Sequence, residues 1–208
     1  MQIKYISFLL FTLCLGNRNA LAQNSEDATI NFDNEVAGKL PTSWKAVSST
    51  WAIAADGTNK TLKQTGKNKP DQSNICIQNK LRYQNLQIEA RIKPVEGGKE
   101  KGGGLVWRYH DAKNYYVARV NLVENNLKIY KVTKGVRKEI KSVNVKIKAN
   151  EWQTLKVAMI GYTMNCYLND KKLLSATDTT LPNAGSVGFW SRADAVSLFD
   201  DLKIKNLH

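Results

Sequence analysis

The sequence predicts an all-β domain, a sandwich of two antiparallel sheets, on three observations. Between Tyr83 and Asp200, short apolar runs alternate residue by residue with polar ones, the period of strands that bury one face. Turn signals such as Asn125-Asn126, Asn169-Asp170 and Pro182-Asn183-Ala184-Gly185 punctuate these runs, as hairpin connections require. No segment sustains an apolar face at a 3.6-residue period, so helices are a minor part. Sheets of this kind bury their apolar faces against each other and leave a broad polar face outside.

The first residues stand apart from that pattern. Lys4 is followed by the apolar run ISFLLFTLCL and by Ala20-Leu21-Ala22, a small-x-small site before Gln23. That order is expected of an export signal over residues 1–22, and the run is short for a bilayer-spanning helix. An uncleaved anchor is the alternative. Leu13 stands where a lipid-modified Cys14 would want a small residue, so Cys14 reads as part of the apolar run. Residues 23–29 form a polar leader, and residues 30–206 suit one domain with a full core.

Folding is expected to start at Ile30-Asn31-Phe32-Asp33, followed by a turn-rich passage marked by Gly38 and Pro41. Trp51-Ala52-Ile53 and Thr61-Leu62-Lys63-Gln64 flank DGTN as a hairpin, and Ser73 to Gln78 make the next strand. From Gln87 the alternation is clean: Ile88, Ala90 and Ile92 share one face, while Gln87, Glu89, Arg91 and Lys93 share the other. Pro94 is expected to end that strand, having no N–H to give a ladder. VEGGKEKGGG reads as a long loop at one edge of the functional face, before Leu105-Val106-Trp107-Arg108. Reversals at Asn125-Asn126 and Asn169-Asp170 tolerate positive φ, and Lys134-Gly135 is a weaker third case. Leu155, Val157, Met159, Met164, Cys166 and Leu168 read as core-facing. The closing run from Val196 to Ile204 is expected to pair near the first strand.

The chain carries 31 Lys and Arg against 18 Asp and Glu, a formal net charge of +13, which loss of Lys4 and Arg18 lowers by two. Such a charge favours anionic surfaces and polyanions, although solvated strand faces and charged sheet edges explain it equally. The lysines are spread along the chain, with no dense arginine tract or zinc-finger spacing, which argues against nucleic acid as the partner. Cys76 and Cys166 lie in apolar strands without CxxC or Cys/His spacing. They fit either two buried thiols or one disulfide, and neither gives a metal or redox centre.

Alternation selects a set of outward candidates: Arg91, Trp107, Arg108, Arg119, Asn121, Tyr130, Trp190 and Arg192. On one concave sheet they would line a groove with aromatic plates and guanidinium forks. Sugars need such a surface, because rings cover their C–H faces while arginine and asparagine bond their hydroxyls. A carboxylated sugar would also fit. Ordinary core or edge positions are the competing explanation for Trp44, Trp51, Trp107 and Trp152, and a strand-to-strand clamp for Arg119. Acid/base work would fall to Glu89, His110, Asp111 or Glu124, for which solvated turns are the plainer account. Asp33, Asp200 and Asp201 would meet if the first and last strands pair, and could then hold a structural calcium ion.

FDNEVAGKLPTSW, YQNLQIEARIKP, GGGLVWRYHDAKNYYVARVNLVENNLKIYKV, the Asn169-Asp170 hairpin and GSVGFWSRADAVSLFDDLKI together span Ile30 to Asn206. This combination resembles the concanavalin A-like lectin and glucanase superfamily. It looks closer still to exported bacterial domains grouped as family 16 glycoside hydrolase-like or 3-keto-disaccharide hydrolase-like. The resemblance implies a jelly-roll sandwich bearing a sugar-binding or a hydrolytic site, often with structural calcium and with no cofactor for chemistry. Retaining family 16 glucanases carry Glu-x-Asp-x-x-Glu or Glu-x-Asp-x-Glu on one strand. Here Glu89 alternates with Gln87 and Arg91, so that signature is missing. The expectation is an exported domain that recognises a polysaccharide or modified glycan, including acidic polysaccharide, on its concave sheet. A glycoside hydrolase resembling the 3-keto-disaccharide group, and a structural or adhesive envelope protein, are the alternatives.

Overall fold

The computed structural model describes residues 25–66 and 68–208; the expected export signal and Cys14 lie outside them. Fifteen strands and no helix occur among the described residues. In chain order they are β1 (Ala28–Ile30), β2 (Trp44–Ala46), β3 (Trp51–Asp56), β4 (Asn59–Gln64), β5 (Ser73–Tyr83), β6 (Leu86–Glu96), β7 (Gly102–Asp111) and β8 (Asn114–Asn121). There follow β9 (Asn126–Thr133), β10 (Val136–Asn144), β11 (Gln153–Ile160), β12 (Thr163–Leu168), β13 (Lys171–Thr177), β14 (Gly185–Arg192) and β15 (Val196–Asn206). One sheet has eight strands in the order β13-β12-β11-β6-β15-β4-β3, with β1 also on β15. The other has seven, in the order β10-β9-β8-β7-β14-β5-β2. Every pairing is antiparallel.

The predicted turns hold because their residues reach the left-handed region. Asn169 and Asp170 have φ of 48° and 63°, and Lys134 and Gly135 have 51° and 81°, the two-residue geometry that suits the twist of a hairpin. Asn125 takes φ 49° before β9. The termini meet as expected, with Ala28 opposite Ile204 and Ile30 opposite Leu202. Order starts a little earlier than Ile30: the Ser25 amide donates to the Arg82 carbonyl, and the Tyr83 hydroxyl to the Glu26 carbonyl at 2.6 Å.

Pro94 does not end its strand. It pairs with Ser197 inside β6, and its carbonyl accepts from the Asn150 amide at 2.9 Å. In an antiparallel strand the nitrogen points the same way as that carbonyl. It therefore faces the side where the β11 ladder has already stopped, at Gln153 opposite Ile92, and no ladder bond is lost.

The main core lies between the sheets. Trp107, Tyr116, Ala118 and Phe189 from the seven-stranded sheet meet Ile88, Ala90, Val157, Met159 and Phe199 from the other. Phe189 and Phe199 touch across the gap with ring centroids 4.7 Å apart, and Trp44 stacks on Phe189 at 5.1 Å. Cys76 and Cys166 come from opposite sheets into this core as free thiols. Burial pushes both thiol pKa values up, which keeps them protonated and inert. Among the described residues no helix is long and apolar enough to cross a membrane.

Candidate functional site

The seven-stranded sheet carries a second buried cluster on its outer face. Along β8, Tyr116, Ala118 and Val120 enter the inter-sheet core, while Tyr115 and Val117 join Ile75, Ile77, Val106, Tyr130, Val132 and Trp190 on the opposite side. Trp190 is only 1% exposed and Tyr130 6%, so this outer face is recessed. Cross-strand pairing sets one row over it: Ile75, Trp190, Gly104, Arg119 and Lys128 are successive partners on β5, β14, β7, β8 and β9. A Cβ on Gly104 would stand 2.2 Å from the Ala118 carbonyl oxygen and 2.9 Å from the Arg119 Cβ. Only glycine fits this close to the β8 backbone.

Arg119 is held from three directions. Its Nη1 donates to Asn126 Oδ1 at 2.6 Å, and Nη2 to Glu124 Oε2 at 3.0 Å and to the Tyr130 hydroxyl at 3.2 Å. Its Nε is buried without a partner. Lys128 also reaches Glu124, at 3.0 Å, and Glu139, at 3.3 Å. Burial by itself would raise the Glu124 carboxyl, but hydrogen bonds from Asn126, Arg119 and Lys128 outweigh it and bring its pKa to about 2.

A second guanidinium, Arg137 of β10, lies over the rings, 4.6 Å from the Tyr130 centroid and 5.7 Å from that of Trp190. Its Nη1 is buried and has no hydrogen-bond partner. Among the described residues no carboxylate pairs with it. Burial, and next the positive charge of Arg192, push its pKa down. Such a contact between cation and ring face is favourable when desolvated, yet it leaves the buried Nη1 without an acceptor.

The glycine loop is shorter than expected, residues 97–101, because Val95 and Glu96 belong to β6 and Gly102, Gly103 and Gly104 to β7; it stands beside this face. Asp194 gathers it by accepting from the amides of Gly98, Lys99 and Glu100 at 2.8, 3.1 and 3.0 Å. Gly97 makes the bend at φ 133°, where a Cβ would meet the Glu100 carbonyl at 1.9 Å. The loop thereby turns Glu100 inward, where Asn121 Nδ2 donates to Oε2 and Arg192 Nε lies 3.6 Å from Oε1. Burial raises the Glu100 pKa, against the pull of Arg119. Arg192 also meets Asp71 at 3.1 Å, an exposed pair of little worth. Arg137, Arg192, Tyr115, Ile75 and Ser73 are among the residues lining a cleft of about 400 Å³. Hollows of similar size beside Asn125 and Asn144, and beside Gln64 and Asp194, are lined by no aromatic ring.

Of the candidates read from sequence, the fold brings together Arg119, Asn121, Tyr130, Trp190, Arg192 and Glu124, but Arg119, Asn121, Tyr130 and Trp190 are buried beneath this face rather than open along a groove as expected. The fold separates the others. Glu89 and Arg91 lie on β6 of the eight-stranded sheet, where Glu89 meets Lys156 at 3.5 Å and Arg91 pairs with Asp201 at 2.9 Å and covers the Trp152 ring. Trp107 points into the inter-sheet core, its indole N–H on the Met159 sulfur at 3.0 Å. Arg108 sits at a register break with φ 44°. It is buried, and its guanidinium donates to the carbonyls of Gln84, Leu181 and Gly161, so it clamps loops rather than facing a groove. His110 and Asp111 are exposed at the far end of β7, where Asp111 accepts from the Lys113 amide and the Asn114 side chain as an ordinary turn. Asp200 accepts from Asn59 at 2.8 Å, Asp201 pairs with Arg91, and Asp33 is exposed. Among the described residues no three His, Cys, Asp or Glu side chains stand close enough to hold a metal ion.

Sequence reading missed Arg137, Glu100 and Gly104. Arg137 and Glu100 sit where no alternation marks them, in a charged edge strand and a loop. The run of glycines at 102–104 was the one available signal for close packing across the sheet.

The architecture is a two-sheet antiparallel β-sandwich, and solved structures share it. A carbohydrate binding module of Bacillus subtilis, CBM66, superposes with a TM-score of 0.70 at 22% identity, covering 79% of this chain and 96% of that one. A Bacillus licheniformis beta-glucanase gives 0.59 at 14% identity over 89% and 100%. The sequence model of the 3-keto-alpha-glucoside-1,2-lyase-like domain matches residues 28–205, and the chain belongs to that family. The levanase of Bacillus subtilis (strain 168) is 26% identical over 182 residues, 84% of this chain. The chain spans about a quarter of that relative, 25% of its length.

Proposed function

We propose that the domain binds carbohydrate in the recess on its seven-stranded sheet, as a lectin-like module. One observation carries this reading: the cleft on this face is lined by the Tyr115 ring, Ile75 and the guanidinium groups of Arg137 and Arg192, with Trp190 and Tyr130 buried beneath Arg137. Ring faces cover the C–H faces of a sugar, and charged or amide donors bond its hydroxyls. The likeness to a carbohydrate binding module and to a levanase supports it. With residues 1–22 read as an export signal, the glycan would be met in the periplasm or outside the cell. Calorimetry against a panel of fructans, glucans, xylans and hexuronates tests the reading. Heat released by at least one class, and lost in Arg119→Ala with the fold intact by circular dichroism, is expected. A folded protein that binds no member at millimolar concentration would leave only a structural or adhesive role.

A second reading, cleavage of a glycoside, draws on one feature. Glu100 and Glu124 flank the same arginine, and their environments push them apart, Glu100 upward by burial and Glu124 down to about 2. Carboxyls separated in this way can divide acid and base work. Product analysis with 3-keto-disaccharides and their parent sugars decides it. Turnover lost in Glu100→Gln with binding kept would favour cleavage, and no turnover of any sugar would leave the binding module.

A further inference from the structure

We infer that the recess is built for an anionic sugar, one carrying a carboxylate on its ring, and that Arg137 receives that carboxylate. The inference rests on the carbohydrate-binding reading and adds the class of ligand. It follows from how the charges in the recess are matched. Arg119 is answered by Glu124, and Arg192 by Glu100 and Asp71. Lys128 is shared between Glu124 and Glu139. Among the described residues no carboxylate reaches Arg137 within ion-pair distance, Glu100 acting on it only from further off, and its Nη1 is buried and unbonded over Tyr130 and Trp190. A second unpaired donor, Arg119 Nε, is buried nearby in a side chain 2% exposed.

Arg137 is half-buried, and a buried Nη1 without an acceptor is costly. A planar carboxylate answers its fork with two parallel hydrogen bonds and cancels the charge, which a neutral hydroxyl cannot do. The rings beneath Arg137 hold the fork in place, so little ordering is left for the ligand to impose. Arg137 also sits on an edge strand, two residues after the Lys134-Gly135 turn, on the rim that a sugar would pass.

The test is calorimetry with an oligosaccharide ending in a hexuronate, against the same oligosaccharide with its carboxyl reduced to the alcohol and against a sulfated counterpart. The hexuronate is expected to bind about tenfold or more tightly than the reduced form at low salt, as a charge-assisted pair implies, and the preference should narrow as salt rises. In Arg137→Gln the two should bind within about twofold of each other, both more weakly than the reduced form binds the unmodified protein, since a donor to a hydroxyl is lost as well. Arg137→Lys should recover only part of the preference. Thermal melting of both variants reports the fold, which should hold because Arg137 makes no hydrogen bond or ion pair. Equal binding of acid and alcohol by the unmodified protein overturns the inference and leaves the carbohydrate-binding reading standing. So does a preference that survives in Arg137→Gln, or one for sulfate over carboxylate. Binding of none of the three sugars sinks both.

Discussion

Trp190 and Arg119 lie in one register row, two strands apart, with Gly104 as the cross-strand partner of both. Gly104 puts no side chain between the two in that row. In Gly104→Ala the new methyl meets the Ala118 carbonyl, a backbone atom that cannot step aside. We expect about 2 kcal/mol of lost stability from the overpacking, seen as a melting temperature lower by about 4–8 °C for a chain of this size. Gly98→Ala is the control: its methyl would find ordinary contact at 3.6 Å, and melting should be unchanged. Equal melting of both variants would contradict the tight row.

Trp190 belongs to the recess and Trp107 to the inter-sheet core. Titration with a bound sugar should therefore change tryptophan emission in the unmodified protein and in Trp107→Phe, but not in Trp190→Phe. A response that persists without Trp190 would place the ligand elsewhere.

Asp178 follows β13 and joins the two sheets. It accepts from Lys131 Nζ at 2.6 Å and from the Tyr116 hydroxyl at 2.7 Å. Burial would raise its carboxyl, but these bonds and those from Thr180 bring it down to about 2. A carboxyl depressed on folding adds stability that is present above its ordinary pKa and disappears as pH falls through the folded value. For Asp178, 11% exposed, that amounts to ~2 kcal/mol lost between about pH 4 and pH 2. Glu124 shifts with the same sign, and its greater exposure shrinks its share. Urea denaturation across this range should show the decline, and Asp178→Asn should flatten part of it. A variant with the same acid slope would refute the assignment.

Asp194 holds three consecutive amides of the glycine loop and so aims Glu100 at Arg192. Asp194→Ala should speed hydrogen exchange at Gly98, Lys99 and Glu100 and weaken sugar binding, while global stability stays within about 0.5 kcal/mol, since the loop is exposed. Unchanged exchange at those amides would show that the loop is held by other means.

How much of this was legible beforehand differs from residue to residue. Arg119, Asn121, Tyr130, Trp190 and Arg192 stand on clean two-residue alternations, and period alone assigned them to an outward face. Arg108 was misplaced because its positive φ at the register break turns it from the outward direction of Val106, whereas Trp107 keeps the period and shares the core face with Leu105, so its outward assignment was simply wrong. Glu89 and Arg91 do face outward, but on the other sheet. Alternation says which side of a strand is wet without saying to which sheet the strand belongs. Arg137 escaped because β10 is an edge strand with charges on both faces, the composition that guards an edge and erases a period.

By itself, then, the order of residues determined an antiparallel sandwich, its main hairpins and the inward-facing core, since these follow from side-chain period and backbone conformations that each residue can reach. Pairing between distant strands decided the rest: that Gly104 stands between Trp190 and Arg119, that Asp194 turns Glu100 inward, and that Arg137 lies over two rings with its Nη1 unbonded. Those relationships join residues up to about a hundred positions apart, and register between strands, unlike period within one, is settled only when the whole core closes.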